Sequence, residues 1–351
     1  MRWGTTFNIN YQFPIIIYHL SFIIYHLKLL PLHHMKTIFF PDQTVTDGAF
    51  AATIGFFDGV HQGHRFLLEN LKKEAAEHGL QSMAITFERH PRQVVQKEWK
   101  PELLTDLHEK LKLLKSTGMD DVVVLRFSKQ MAALSAREFM QLIYDRLGVR
   151  ILLTGYDNRF GHDRTEGFED YQRYGQELGI DVLCGDALAV GKKNVSSSYV
   201  RQLLKEGNLA EANYCLGYPY TISGEVVHGE QIGRTIGFPT ANVQADPLKL
   251  IPKDGVYAVL VDIEDRTGLH GVMNIGSRPT FNGEKRTLEV NIINGTGNFY
   301  GQTVTIRFCA RLRDEQQFPS GEALASQIEI DKEAAEQLLV NYELGITNYG
   351  F

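Results

Sequence analysis

The chain has 351 residues, with 36 Lys and Arg against 42 Asp and Glu and a formal net charge of −6. That length predicts two domains, each with its own core, and 43% hydrophobic with 22% charged residues excludes a disordered chain. The acidic balance argues against a nucleic-acid partner, and Cys184, Cys215 and Cys309, without CxxC spacing, predict a reducing, cytoplasmic setting and no zinc site.

Residues 13–34, FPIIIYHLSFIIYHLKLLPLHH, are apolar but interrupted by His19, His26 and Lys28. They fall short of a clean membrane span of about 20 apolar residues, and no small-residue cleavage site follows. Residues 1–34 are therefore expected to be an upstream extension outside the fold. Met35 is the expected natural start, and no membrane partner is expected.

From residue 50 short apolar runs alternate with amphipathic ones. FAATIGFF predicts a buried strand, and Leu67, Leu71 and Ala75 follow at helical spacing until Gly79. SMAITF is the next strand, and Leu107, Leu111 and Leu114 then share one face of a helix that stops at Gly118. DVVVLRF is a third strand, and Ser135 and Glu138 open another helix in capping-box spacing. RILLTG, a helix near 168–178 and IDVLCG continue the alternation. The pattern predicts an α/β domain, a doubly wound parallel sheet with helices on both faces. Ligands of such sheets bind at the carboxyl ends of the strands.

GFFDGVHQGH, residues 55–64, lies at one such end. Gly55 allows close approach of a ligand, Asp58 and Gly59 make the turn, and His61 and His64 meet on one side of a helix start. Free N–H groups and the helix dipole favour a phosphate there. By themselves these residues also fit an ordinary turn, capping and packing histidines, or a metal site without a third ligand. VSSSYVR, residues 195–201, offers hydroxyls at Ser196, Ser197 and Ser198, and Arg201 one turn into a helix. On its own it is equally a serine-rich helix cap.

HxGH after a first strand resembles the signature of the nucleotidyltransferase superfamily. With VSSSYVR it is similar to bacterial bifunctional riboflavin kinase/FMN adenylyltransferases, whose SSTxxR element the serine run matches. TFERHPRQVV resembles that family's FxPHPR segment through His90, Pro91 and Arg92. GYDNRFG resembles its GxDxRFG loop, with Asn158 in place of the usual aromatic residue. The resemblance implies nucleotide contacts at Gly55, Phe56, Asp58, Gly59, Gly63, Asp157, Arg159 and Ser196 to Ser198, and substrate contacts at His90, Pro91 and Arg92.

Near Tyr218 the pattern changes to strand-like runs at 220–228, 256–263, 268–275, 287–293 and 301–312, followed by two helical runs. An antiparallel β-barrel with terminal helices is the economical reading. HGEQIGRTIGFPTANV places Gly229, Gly233 and Gly237 in a loop suited to phosphates, with Thr240 and Asn242 as hard oxygen ligands for magnesium. GFPTAN resembles the riboflavin kinase signature, and GVMNIGSRPTF and LRDEQQF match later segments, implying flavin contacts at Arg278 and Arg313. Glu289 matches the family's catalytic carboxylate, expected to point into the barrel mouth. The acidic-aromatic pair usual after that strand is replaced by Asn294-Gly295.

The resemblance covers roughly residues 35–345 and implies an adenylyltransferase domain over 35–217 and a kinase domain over 218–351. Riboflavin would be phosphorylated by ATP with Mg2+ to FMN, with Glu289 as base. FMN would then be adenylylated to FAD, with His61, His64 and Arg201 stabilising charge. The alternatives are an adenylyltransferase whose barrel binds flavin without phosphorylating it, and a non-catalytic flavin carrier or regulator. The expected partners are the small molecules ATP and riboflavin or FMN, and the chain is expected to be a monomer. No apolar surface between the domains is identifiable in the sequence.

Overall fold

The computed structural model describes residues 35–43, 48–155, 159–162, 165–186, 188–190, 193–228, 238–280, 283–295, 297 and 299–344. The expected extension, residues 1–34, lies outside them, as do Asp157, Asn158, Gly229, Gly233 and Gly237. Strands β1 (Lys36–Phe40), β2 (Phe50–Ile54), β3 (Gln81–Phe87), β4 (Asp121–Leu125), β5 (Val149–Gly155) and β6 (Asp181–Gly185) form one sheet. Their order is β1-β4-β3-β2-β5-β6, and every pairing is parallel.

The unbroken apolar run of β4 follows from burial on two faces. Val122 and Val124 pack with Leu68 and Leu71 of α1 (Gln62–Glu77). In the same cluster lies Leu114, on α3 (Leu107–Lys115), which comes after the short α2 (Pro91–Val95). Val123 and Leu125 pack on the other face. There they meet Phe139, Met140 and Ile143 of α5 (Ala136–Leu147), which follows the single-turn α4 (Lys129–Ala132). Tyr171 of α6 (Phe168–Leu178) joins them. The doubly wound arrangement expected from the apolar runs is present. Strand β2 has β3 on one side and β5 on the other, and this reversal of chain order opens a crevice at their carboxyl ends. Strand β1 was not expected; KTIFF is too short an apolar run to stand out by period.

After a small hairpin, β7 (Ala189–Val190) with β8 (Lys193–Asn194), come α7 (Ser197–Glu206) and α8 (Leu209–Leu216). Then β9 (Tyr220–Val227), β10 (Ala241–Ala245), β11 (Gly255–Ile263), β12 (Arg266–Thr280), β13 (Gly283–Ile292) and β14 (Thr303–Arg313) close a barrel in the order β10-β13-β12-β11-β14-β9. All its pairings are antiparallel. The sixth strand, β10, begins within HGEQIGRTIGFPTANV, which the sequence suggests is a loop, and runs two residues beyond it. Its flanking glycines and proline hide a run whose pairing partners are distant in sequence. The two expected terminal helices are one, α9 (Gly321–Glu343), capped by Ser320. Asp331, where a break was expected, is buried and receives Arg313 Nη2 at 2.8 Å, so a polar residue stays inside one continuous helix.

The two halves share an apolar contact that the sequence reading did not identify. Leu203, Leu204, Leu209, Ala212, Cys215 and Leu216 belong to one cluster with Tyr220, Tyr257 and Phe308 of the barrel. Asn213 Nδ2 donates to Phe308 O at 2.8 Å, and Asn213 Oδ1 accepts the Tyr220 N–H at 2.7 Å.

Candidate active sites

After β2 the backbone turns sharply. Phe57 is left-handed (φ 53), Asp58–Val60 form one 3-10 turn, and Gly59 lies at φ 80, a region that glycine enters without steric cost. The turn brings His61 to the N-cap of α1, where its Nδ1 accepts the His64 N–H at 3.3 Å. The two imidazoles stack with centroids 3.6 Å apart and planes 18° from parallel. Gly63 permits close approach to the residues before α7, since a Cβ there would lie 2.8 Å from Val195 O.

Burial, then Arg201, lowers the His61 pKa to about 3. His64 is pushed well below its ordinary value, first by burial and then by His61, Lys110 and Arg201. Both rings are therefore neutral near pH 7 and offer N–H donors, not fixed positive charge. His64 Nδ1 is buried without a hydrogen-bond partner among the described residues.

Asp58, expected to contact nucleotide, has its carboxylate engaged by protein donors. It accepts from Leu104 N at 3.0 Å, Thr105 N at 2.9 Å and Thr105 Oγ1 at 3.1 Å, and pairs with Arg201 Nη2 at 2.5 Å. Arg201 Nε also donates to Glu102 O at 2.7 Å. Ser196 caps α7 by accepting the Tyr199 N–H at 3.2 Å, Ser197 Oγ donates to Asp58 O at 2.9 Å, and Ser198 lines a surface depression with Arg201. Gly55, Phe56, His90, Pro91, Arg92 and Arg159 line a cleft of about 660 Å³. Within it His90 packs edge-on to Phe56, and Arg92 lies over the Trp99 ring at 4.9 Å.

Sequence reasoning missed Lys110. Its Nζ donates to Phe87 O at 2.8 Å and Phe56 O at 3.2 Å, at the ends of β3 and β2, and stands 4.3 Å from the Phe56 ring centroid. Burial lowers its pKa to about 8, opposed by Asp58. The available signal was its helical spacing: a lysine at 110 falls within the apolar stripe of Leu107, Leu111 and Leu114.

On the barrel, inward and outward residues alternate. Leu288 and Val290 join the interior cluster, whereas Glu289 lines a groove on the outer wall beneath α9. Glu289 thus does not point into the barrel mouth. Its cross-strand partners are Asn242 on β10 and Asn274 on β12, which align a carboxylate and two amides in one row. The groove, about 660 Å³, also holds Thr240, Asn291, Arg313 and Asp331. Asn291 Nδ2 donates to Pro239 O at 2.8 Å and so anchors the segment carrying Thr240.

Thr240 also borders a second cavity of about 480 Å³ at the barrel mouth, with Ala241, Val290, Ile292, Gly295 and Tyr300. The Asn294-Gly295 departure therefore abuts this mouth cavity; Asn294 takes a left-handed φ of 56, and Gly295 N bonds to Ile292 O at 3.0 Å. Arg278 is placed on β12 by its backbone pairing with Lys285. Arg313 is held by Asp331 through Nε at 3.0 Å and Nη2 at 2.8 Å.

A parallel sheet with a helix-capped phosphate-type turn, joined to a barrel with its own oxygen-rich groove, defines a two-site transferase. Two family models match it, FAD synthetase over residues 44–199 and riboflavin kinase over residues 216–339. The chain is 42% identical over 288 residues to the bifunctional riboflavin kinase/FMN adenylyltransferase of Escherichia coli K12, covering 81% of this chain and 91% of that one. It is 34% identical to that of Listeria monocytogenes, covering 88% of this chain and all of the relative. A crystal structure described as a macrolide-efflux protein from Streptococcus pneumoniae superposes with a TM-score of 0.79 at 32% identity, covering 86% and 99% of the two chains. No helix among the described residues is long and apolar enough to cross a membrane. The chain belongs to the bifunctional riboflavin kinase/FMN adenylyltransferase family.

Proposed function

We propose that the barrel phosphorylates riboflavin with ATP and that the parallel-sheet domain then adenylylates FMN to FAD, with the division falling between residues 217 and 218. The observation that carries the kinase reading is Thr240 at the junction of two cavities, with Glu289 lining one of them. The mouth cavity takes ATP and the outer groove takes riboflavin, so the γ-phosphoryl group and the ribityl hydroxyl meet beside Thr240. Glu289 accepts the proton of that hydroxyl as it attacks the γ-phosphorus, the bond to the β-phosphate oxygen breaks and ADP leaves. Thr240, Asn242 and Glu289 supply hard oxygen donors suited to Mg2+, which when bound neutralises charge on the transferring phosphates. Arg313 and Arg278 are assigned to the flavin side, and Gly229, Gly233 and Gly237 to the phosphates.

In the parallel-sheet domain, FMN phosphate attacks the α-phosphorus of a second ATP and pyrophosphate leaves. An anionic phosphate needs no strong base, so alignment and charge stabilisation carry this step. The His61 and His64 rings and the first-turn N–H groups of α1 and α7 that the His61 and Ser196 caps leave free are assigned to the ATP phosphates. The neutral rings stabilise that charge by N–H donation rather than by charge of their own. The cleft lined by Phe56, His90 and Arg92 takes the flavin. The protein acts as a cytoplasmic monomer on these small molecules.

A chromatographic time course with riboflavin, ATP and Mg2+ tests both steps. The wild type should give FMN and then FAD. His64→Ala should stop at FMN, while Glu289→Gln should form FAD only when FMN is supplied. Loss of both reactions from either folded variant would sink the two-site reading.

A further inference from the structure

Residues 102–110 join the barrel to the phosphate turn. Leu103 forms a parallel bridge with Lys249, a barrel residue between β10 and β11: Leu103 N donates to Leu248 O at 2.7 Å, and Leu250 N donates to Leu103 O at 2.8 Å. The Lys249 side chain is 3% exposed. Its Nζ pairs with Glu109 of α3, donates to Leu104 O at 2.7 Å and stands 5.2 Å from the Tyr220 ring centroid. The Leu104–Thr105 peptide therefore accepts from Lys249 through its carbonyl and donates through Thr105 N to Asp58 Oδ1 at 2.9 Å. Asp58 in turn holds Arg201 at 2.5 Å and begins the turn that carries His61 and His64. One peptide unit thus separates a barrel ammonium from the carboxylate beneath the phosphate site, and hydrogen bonds in such a chain polarise one another.

We propose that Lys249 is a positioning residue for adenylyl transfer, by which the kinase barrel sets the geometry of the ATP site in the other domain. The inference rests on the assignment of that site to His61, His64 and Arg201. Lys249 borders neither barrel cavity, so its effect is confined to the second reaction. Without the ammonium, the 104–105 peptide loses the donor that fixes its plane. Asp58 then keeps Leu104 N and Thr105 Oγ1 but loses the aligned Thr105 N–H, and its pairing with Arg201 tilts away from the phosphates. Displacements of this size cost alignment more than folding.

The test uses the full chain with Lys249→Met and with Lys249→Met/Glu109→Gln, the second leaving no charge unpaired and keeping an acceptor for the Asp106 N–H that Glu109 caps at the start of α3. KM and kcat are measured for FMN adenylylation and, separately, for riboflavin phosphorylation, together with the thermal midpoint. Lys249→Met should raise the adenylylation KM for ATP about tenfold or more, with both kinase parameters within about twofold of wild type. The double variant should regain most of the midpoint, because the stranded Glu109 carboxylate is gone, yet keep the raised KM. Unchanged adenylylation in Lys249→Met, or recovery of KM together with the midpoint in the double variant, would overturn the proposal. If the single variant does not fold, the double variant decides alone, a wild-type KM refuting it. His64→Ala is assayed alongside: wild-type FAD formation there would refute the site assignment itself, whatever Lys249 does.

Discussion

His61 is neutral in the folded protein because its ring is buried at the N-cap and faces Arg201, which places its pKa at about 3 against an ordinary 6.5. The linkage sign follows directly. Above pH 6.5 folded and unfolded chains are both unprotonated at this site, and the ring contributes no pH dependence. Below 6.5 the unfolded chain binds a proton that the folded chain refuses, so stability falls as pH falls toward 3. The slope approaches about 1.4 kcal/mol per pH unit for such a histidine. His61→Asn retains an N-cap acceptor and removes the titration. Denaturant midpoints measured from pH 8 to pH 5 should decline less steeply for this variant than for the wild type. Parallel declines would mean that the ring is protonated in the folded state and that neutral N–H donation at the phosphate turn is the wrong description.

At the scale of elements, α9 determines the groove over Glu289. Its Asp331, 5% exposed, receives two Arg313 nitrogens, and Gln327 Nε2 adds a bond at 3.0 Å. Asp331→Ala leaves the Arg313 guanidinium without its carboxylate. The expected cost is about 2–3 kcal/mol, below the roughly 3–5 of a fully buried pair because Arg313 retains some solvent. Because both residues line the groove, KM for riboflavin should rise while adenylylation of supplied FMN keeps its KM; a drop in stability with riboflavin KM untouched would remove α9 from the flavin side.

This pair also shows how far the sequence could be read. Two terminal helices were expected where one runs through Asp331, whose partner appears only when β14 brings Arg313 beneath it. Strand β10 was concealed in the same way, since ANVQA becomes a strand only through β9 and β13. By contrast, the turn at Asp58-Gly59, the histidine pair and the Ser135 cap were legible, because local backbone geometry alone demands those residue types. Lys110 left a trace in the apolar stripe of its helix. Lys249 left none, as nothing in DPLKLIP indicates that its lysine will be enclosed between domains.

At the scale of the whole molecule, α7 and α8 decide whether the chain behaves as two units or one. Their apolar residues lie in one cluster with the barrel interior, and Asn213 bonds both to β14 and to the start of β9. Tyr218 Oη adds a bond at 2.5 Å to Gly59 O, tying the chain just before the barrel to the phosphate turn. A sheet domain that unfolded alone would have to expose Leu209, Cys215 and Leu216, each now buried, or leave their helices stranded on the barrel. Either course forfeits apolar burial of roughly 1.5–3 kcal/mol per large side chain. Heat should therefore unfold the chain in a single calorimetric transition, and both activities should be lost at one midpoint. Leu216→Ala, which opens a cavity at the shared contact, should cost about 2–5 kcal/mol and move both midpoints together. Two resolved transitions, or a variant that lowers only the adenylyltransferase midpoint, would show that α7 and α8 belong to the sheet domain alone. The path from Lys249 to Asp58 would then cross a boundary that opens before either core melts.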